Sequence, residues 1–451
     1  MTEIYSVEHC MLLLKGNRHF LLVFKGLLLS TALFVRKKYA MILDRIGQFT
    51  HLWLGRFFAA CLVVSLMLTA KGLHAQGENF KLGGFRFDLA ATFSMEYNDN
   101  INNAEFNPRW DIILRPGMSL GGSYQFTEFN TLSVTMGIGY AKYIRTPELD
   151  SINNFLSVSP DTEIAFTVFI DDVTLEFYDR LSYSVDATDA FAINGGVING
   201  NPLDYGRFTN IVGVDMDWDL NDVVLFAGLS RFDIIPTSSD FDYTQRHEYQ
   251  LIGGPRFLIQ PNLTVGITGS LNWNRYEENI DNDSISWSVG PMAIWQATEY
   301  LSFAANAAYQ SFIVQTGGLN GDDTQPSGII GSLTATHRAS SNFEHSLTAA
   351  HSFNYGYLAN VTSVFSVSYG FTWHMNSRLT PRGTIYYEVG DDSGGIDPEY
   401  YGRYGAGVGV DYKLSPQMTT SLDYDFSRKD SNLFNRSYQQ NRVLISIRYD
   451  F

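Results

Sequence analysis

The chain has 451 residues, with 31 Lys+Arg against 47 Asp+Glu and a formal net charge of −16. That acidic excess argues against a nucleic-acid partner, whose phosphates demand a basic surface. Both cysteines, Cys10 and Cys61, lie near the amino end, so the rest of the chain offers no disulfide and no thiolate metal site.

Residues 1–40 carry an apolar patch, Leu27 to Val35, closed by Arg36, Lys37 and Lys38. A secretory signal pattern follows. Arg56 precedes the apolar run Phe57 to Ala70, and Gly72-Leu73-His74-Ala75 supplies a small-residue cleavage site. We place the signal peptide at 41–75 and read 1–40 as an upstream extension: either Met41 is the true start or the leader is longer than usual. Residues 1–75 hold 9 of the 31 basic and 3 of the 47 acidic residues, which leaves 22 against 44 and a charge of −22 for 76–451. No run after residue 76 approaches the roughly 18 consecutive apolar residues of a spanning helix, so membrane residence has to come from strands.

From Phe85 onward a period of two recurs. Phe85, Phe87, Leu89, Phe93, Met95 and Tyr97 alternate with polar or small residues. So do Leu263, Val265, Ile267, Leu271 and Trp273, and later Met418, Leu422, Tyr424 and Phe426. Alternation puts apolar side chains on one face of a strand and polar ones on the other. About 18 such stretches start near 85, 109, 130, 154, 173, 206, 222, 245, 262, 284, 300, 327, 343, 361, 379, 400, 417 and 437, a count within the bacterial range. Tight turns such as Asp171-Asp172 and Pro261-Asn262 alternate with long polar connections, of which 186–205 is the longest. Trp110, Trp218, Trp273, Trp287, Trp295 and Trp373 all fall on the apolar parity, split between the two strand ends as interfacial rings require. The expected fold is all-β: a transmembrane, antiparallel, up-and-down barrel over 76–451. With about nine residues between Ala75 and the first strand, no plug domain is expected. Two local irregularities are predicted: a bulge at Asp179, which breaks an apolar row, and an edge or bulge at Pro116, relieved by Gly117.

The last strand alternates Val443, Ile445, Ile447, Tyr449 and Phe451 with Arg442, Ser446, Arg448 and Asp450. It resembles the closing strand of outer-membrane barrels. Ile447, Tyr449 and Phe451 match the terminal assembly signal; the small residue usual further upstream is not matched by a Gly, and Ser446 is the nearest candidate for it. Tyr97-Asn98-Asp99-Asn100-Ile101 and Asp111-Ile112-Ile113-Leu114-Arg115-Pro116-Gly117-Met118 resemble the opening strands of the porin 2-like family of Gram-negative β-barrel porins. That resemblance implies a multi-pass outer-membrane channel for passive passage of small hydrophilic solutes or a polysaccharide. It implies no catalytic residue and no cofactor. The partners it implies are outer-membrane lipids and the barrel-assembly machinery, with a homo-oligomer left open. A non-transport barrel, serving as surface scaffold or adhesin through its acidic loops, is the alternative.

The inward-facing row supplies the candidate pore-lining residues. Basic ones are Arg86, Arg115, Arg180, Arg382, Arg403, Arg442 and Arg448; acidic ones are Asp161, Glu163, Glu176, Asp215 and Asp217. Closure brings the last strand beside the first, so a basic wall would face an acidic one and set a transverse field. The competing reading is that these charges solvate the wall and pair with each other. Asp186, Asp189 and Asp204 on the third outer loop are candidates for a constriction. Acidic loop pairs such as Asp281/Asp283 and Asp322/Asp323 lack a full cation-ligand spacing and read as solvated tips. None of His247, His337, His345, His351 or His374 stands in a recognisable nucleophile–base–orienter set, so no enzyme is expected.

Overall fold

The computed structural model describes residues 80–82, 84–147, 157–159, 161–184, 206–237, 239–356 and 359–451. The upstream extension, the signal peptide and the constriction candidates Asp186, Asp189 and Asp204 lie outside the described residues. Eighteen barrel strands run in chain order: β1 (Phe85–Asn98), β2 (Asp111–Thr127), β3 (Asn130–Gly139), β4 (Glu163–Ile170), β5 (Val173–Ser184), β6 (Arg207–Asp219), β7 (Val223–Pro236), β8 (Arg246–Gln260) and β9 (Leu263–Tyr276). There follow β10 (Ser284–Gln296), β11 (Leu301–Val314), β12 (Ser327–Ser340), β13 (Phe343–Tyr355), β14 (Val361–Trp373), β15 (Leu379–Asp392), β16 (Tyr400–Lys413), β17 (Met418–Ser431) and β18 (Tyr438–Asp450). Each pairs antiparallel with the next, and β1 pairs with β18 from Ala90↔Asp450 to Asn98↔Arg442. The sheet is therefore closed, and no separate plug domain occurs among the described residues.

Outward positions carry the apolar set. Phe93, Leu347, Ile385, Val408 and Leu422 are all exposed there, as are the six tryptophans named above. Trp218, Trp295 and Trp373 lie beside the short turns and Trp110, Trp273 and Trp287 toward the other rim. Short turns use residues that tolerate left-handed backbone, with φ of 50° at Asp171 and 70° at Asn221.

Three expectations are corrected. The fourth strand starts at Glu163 rather than near 154. A separate bridge at Ser157–Val158 comes first, and the Thr162 amide donating to the Ser159 carbonyl turns the chain between them. Asp179 makes no bulge: register is unbroken from Ile164 through Asp179 to Val212, so the carboxylate simply points outward. Pro116, lacking an N–H, opens a gap in the ladder without an extra residue, because Gly117↔Gly139 and Leu114↔Lys142 keep one register.

The closing seam is directly testable. Ser94 and Ser446 are partners on inward positions of β1 and β18. Facing residues of an antiparallel pair lie about 4.5–5.5 Å apart at Cα, within disulfide reach. Ser94→Cys with Ser446→Cys, in a Cys10→Ser/Cys61→Ser background, should oxidise within one chain and shift mobility on non-reducing gels. Ser94→Cys with Ser427→Cys, on β17 and away from Ser421, the residue that faces Ser446, should not.

Candidate functional site in the barrel interior

The two stretches that resemble porin opening strands turn out to fasten the barrel. The Asp99 carboxylate accepts from the Asn441 amide at 2.7 Å and from its Nδ2 at 2.6 Å, tying β1 to β18. Asn100, fully buried, donates from Nδ2 to the Gln439 carbonyl at 2.9 Å, and Gln440 Nε2 donates back to the Asn100 carbonyl at 2.8 Å. Ile101 turns inward with Ile113, Ala141 and Tyr143 in a small apolar cluster. Asp111 is wholly buried and accepts the amides of Ile112, Ile144, Arg145 and Thr146, so it anchors the connection after β3.

Two further groupings fill the interior toward the long-loop rim. Phe312 on β11 meets Phe353 and Tyr355 on β13 edge-on at 6.0 Å each, and the Arg246 guanidinium of β8 lies 5.1 Å above the Tyr355 ring. These strands are not ladder neighbours, so side chains bridge the interior there. On the other side, Arg403 is 1 % exposed. Its Nη2 lies 2.7 Å from Glu388 Oε2, while the Tyr401 hydroxyl donates to Glu388 Oε1 at 2.8 Å. Lys429 Nζ lies 2.7 Å from Glu399 Oε1, and Arg436 reaches the other Glu399 oxygen at 3.5 Å. Removing such charges from water costs several kcal/mol each, so they persist only as complete pairs.

Four connections are knitted above these groupings: 277–283, 315–326, 393–399 and, through Ala359 and Asn360, the one before β14. Asn282 Nδ2 donates to the Asp322 carbonyl and to Asn360 Oδ1, both at 2.7 Å. Asp322 accepts from the Asn360 amide at 2.8 Å, from Ser393 Oγ at 2.6 Å and from Thr324 Oγ1 at 2.6 Å. Asn320 Nδ2 donates to Asp281 Oδ1 at 3.0 Å. Asp281 and Asp322 are buried, which corrects their reading as solvated tips. Desolvation pushes the Asp281 carboxyl up to about 7, against the opposing pull of Asn320 and the Arg246 charge. For Asp322, burial also pushes upward, but the bonds from Ser393, Thr324 and the Asn360 and Thr324 amides win and hold it below the usual carboxylate range.

Toward the short-turn rim the wall opens into a groove of about 320 Å³ across β13–β17. Three consecutive inward positions of β16 are Gly405, Gly407 and Gly409. A Cβ on Gly407 would stand 2.6 Å from Asp425 Oδ1, and one on Gly409 would overlap the Asp423 carboxylate. These glycines let acidic side chains lie over the strand. Arg382 Nη1 bonds both Asp411 oxygens at 2.6 and 2.7 Å, and Nη2 pairs with Asp423. Asp425 has Arg442 at 3.4 Å.

The candidate residues fall on the inward row with one exception: Asp161 is exposed in the turn before β4, where Ser159 bonds it. Arg403 lies on that row but is sealed from water, so it does not line open space. Arg86, Glu176 and Asp215 face inward on β1, β5 and β6. Most of the other arginines meet carboxylates on their own wall: Arg115 with Glu96 at 3.3 Å, Arg180 with Glu163, Arg442 with Asp425, and Arg448 with Asp450 at 2.8 Å. Asp217 meets Arg256 at 2.8 Å. The interior is charge-alternating, and sign is not segregated into opposing walls. Glu96, Glu388, Asp411, Asp423 and Asp425 were the partners sequence reading missed; their inward parity one strand away was the available signal. Ile447, Tyr449 and Phe451 sit at the seam, with the Phe451 amide bonded to the Leu89 carbonyl at 2.9 Å.

No family model matches the chain and no curated protein sequence is similar to it. Among solved structures it is similar to OccK2 (OpdF) of Pseudomonas aeruginosa in complex with glucuronate, at 11 % identity and TM-score 0.49, covering 83 % of this chain and 100 % of that one. It is also similar to OccAB3 of Acinetobacter baumannii, at 11 % identity and TM-score 0.47, covering 81 % and 99 %. At such identities the interior chemistry has to be argued from this chain's own residues.

Arg403→Leu should destabilise by about 3–5 kcal/mol, because it strands the buried Glu388. Arg403→Leu with Glu388→Leu should recover most of that loss; the urea midpoint of the refolded barrel reports both. The loop network should respond to pH. Between the ordinary carboxylate range and about 7 the folded Asp281 binds more proton than its unfolded counterpart, so network stability falls as pH rises through that window. Asp322 acts oppositely, but only in stronger acid. Protection of the 277–283 and 315–326 amides, taken relative to their intrinsic exchange rate at each pH, should therefore be stronger at pH 5.5 than at pH 8, and Asp281→Asn should remove the difference.

Proposed function

We propose that this chain is an outer-membrane barrel of a Gram-negative bacterium that passes small hydrophilic solutes, exported with residues 41–75 as its signal peptide. One observation carries the reading: a closed strand cylinder with an apolar exterior, tryptophans near both rims, and a polar, charged interior. In a bilayer every backbone polar group needs an internal partner, which closed barrels provide. A soluble closed sheet would reverse the arrangement and keep its apolar side chains inside.

The side chains and tied loops filling much of the outer half favour small solutes over a glycan chain. The groove supports a preference for cations. Among its lining residues Glu344, Asp423 and Asp425 outnumber Arg382, and a low-dielectric wall focuses that excess on a passing ion. The loop network supports the second reading, a surface scaffold, only if the barrel proves closed.

Refolded protein in planar bilayers should show discrete conductance steps with a reversal potential favouring cations. Asp423→Asn with Asp425→Asn should move that potential toward zero while the barrel stays heat-modifiable. A folded, inserted barrel that carries no current would end the channel reading and leave the scaffold.

A further inference from the structure

The outward face is apolar on most strands, but one region departs from this. Among the described barrel strands, Arg275, Asp391, Arg428 and Asp430 are the outward Asp, Glu, Lys or Arg residues outside that region. Each lies within three residues of its strand's long-loop end. On β5–β8 the interruption runs deeper. Asp179 points outward midway along β5, between Ile164 and Val212 on the flanking strands. It is exposed, and its Oδ1 accepts from Asn210 Nδ2 at 2.6 Å. Across Val212 stands Arg231 on β7, whose side chain is 45 % exposed although Nε reaches Asp233 Oδ1 at 2.9 Å. His247 on β8 pairs with Asp233 through Nδ1 and with Glu277 through Nε2 at 2.7 Å. Tyr249 carries the Arg231 guanidinium 5.4 Å above its ring.

Given the membrane reading above, on which this inference rests, such a patch would face acyl chains, where an exposed Asp and a half-exposed Arg are costly. Anionic lipid headgroups do not suit it either. Asp179, Asp233 and Glu277 outnumber Arg231, and His247 is already held between two carboxylates. The patch carries both signs, with Asp179 and Arg231 flanking Val212 two strands apart on one cross-strand row. That spacing is self-complementary: a copy turned about the membrane normal near Val212 offers Arg231 to Asp179 and Asp179 to Arg231. We propose that β5–β8 form the contact between two copies of this chain in the membrane, with Asp179 of one copy paired to Arg231 of the other.

A single cysteine reads the contact. Val212→Cys, in a Cys10→Ser/Cys61→Ser background, should give a dimer-sized product with a short bis-maleimide in native membranes. Val408→Cys, outward on the far wall, should give little. Asp179→Arg and Arg231→Asp should each weaken the Val212→Cys product several-fold, and the two together should restore it. If Arg231→Asp does not fold, the Val212 and Val408 comparison in the otherwise unaltered chain still decides. Equal cross-linking at Val212 and Val408 overturns the proposal, as does none at Val212 in a heat-modifiable protein that floats with membranes. So does lipid co-purifying with that face in place of a second copy. A chain that neither floats nor shows heat-modifiability instead defeats the membrane reading itself.

Discussion

Everything in this structure depends on the joining of its first and last strands. An open eighteen-stranded sheet would leave two rows of unpaired N–H and C=O groups, tolerable in water but not in hydrocarbon. The β1–β18 ladder removes both edges at once. Its long-loop end is locked by side chains as well as backbone, through Asp99 on Asn441 and Asn100 on the β18 backbone. The other end is held where the Phe451 amide meets the Leu89 carbonyl. Asp, Asn and Gln suit this place because each satisfies several partners with a short, well-fixed side chain. The Tyr97–Ile101 stretch is thus explained by closure.

Once closed, the cylinder turns a period of two into an inside and an outside. That is why the strands, their number, the exterior tryptophans and the inward charges were legible in the sequence. Alternation specifies a face, but it specifies neither height along the barrel nor which residue stands one strand over. Arg403 and Arg382 share the same parity and chemistry. One is buried against Glu388 and the Tyr386 ring, and the other opens on a groove. The expected basic wall failed for the same reason. Register, which cannot be read from one strand, set Asp411 and Asp423 beside Arg382 and Glu96 beside Arg115. Asp281 and Asp322 were misread because loop composition resembles that of solvated tips until four loops are seen to share one network.

Empty space is specified as firmly as contact. Gly405, Gly407 and Gly409 look like weak strand residues, since glycine loses conformational entropy and packs nothing. At Gly407 and Gly409 the missing side chains leave the room into which Asp425 and Asp423 fold, while Gly405 lies against the Tyr386 ring. Larger residues would force those carboxylates away from β16 and separate Arg382 from one of its partners. The groove is lined where two inward positions, Gly407 and Gly409, forgo side chains while the neighbouring strand supplies charge.

The interior and exterior polar groups obey one rule with different consequences. Inside, each buried charge has its partner within the chain, so the outer half of the barrel is stable as it stands. Outside, Asp179 has only an amide, and Arg231 remains half exposed beside its carboxylate. In a low-dielectric surround, incomplete pairing of that kind favours association over solvation, because the missing partner is no longer water. The same accounting of partners that makes Arg403 structural is what the proposed β5–β8 contact rests on.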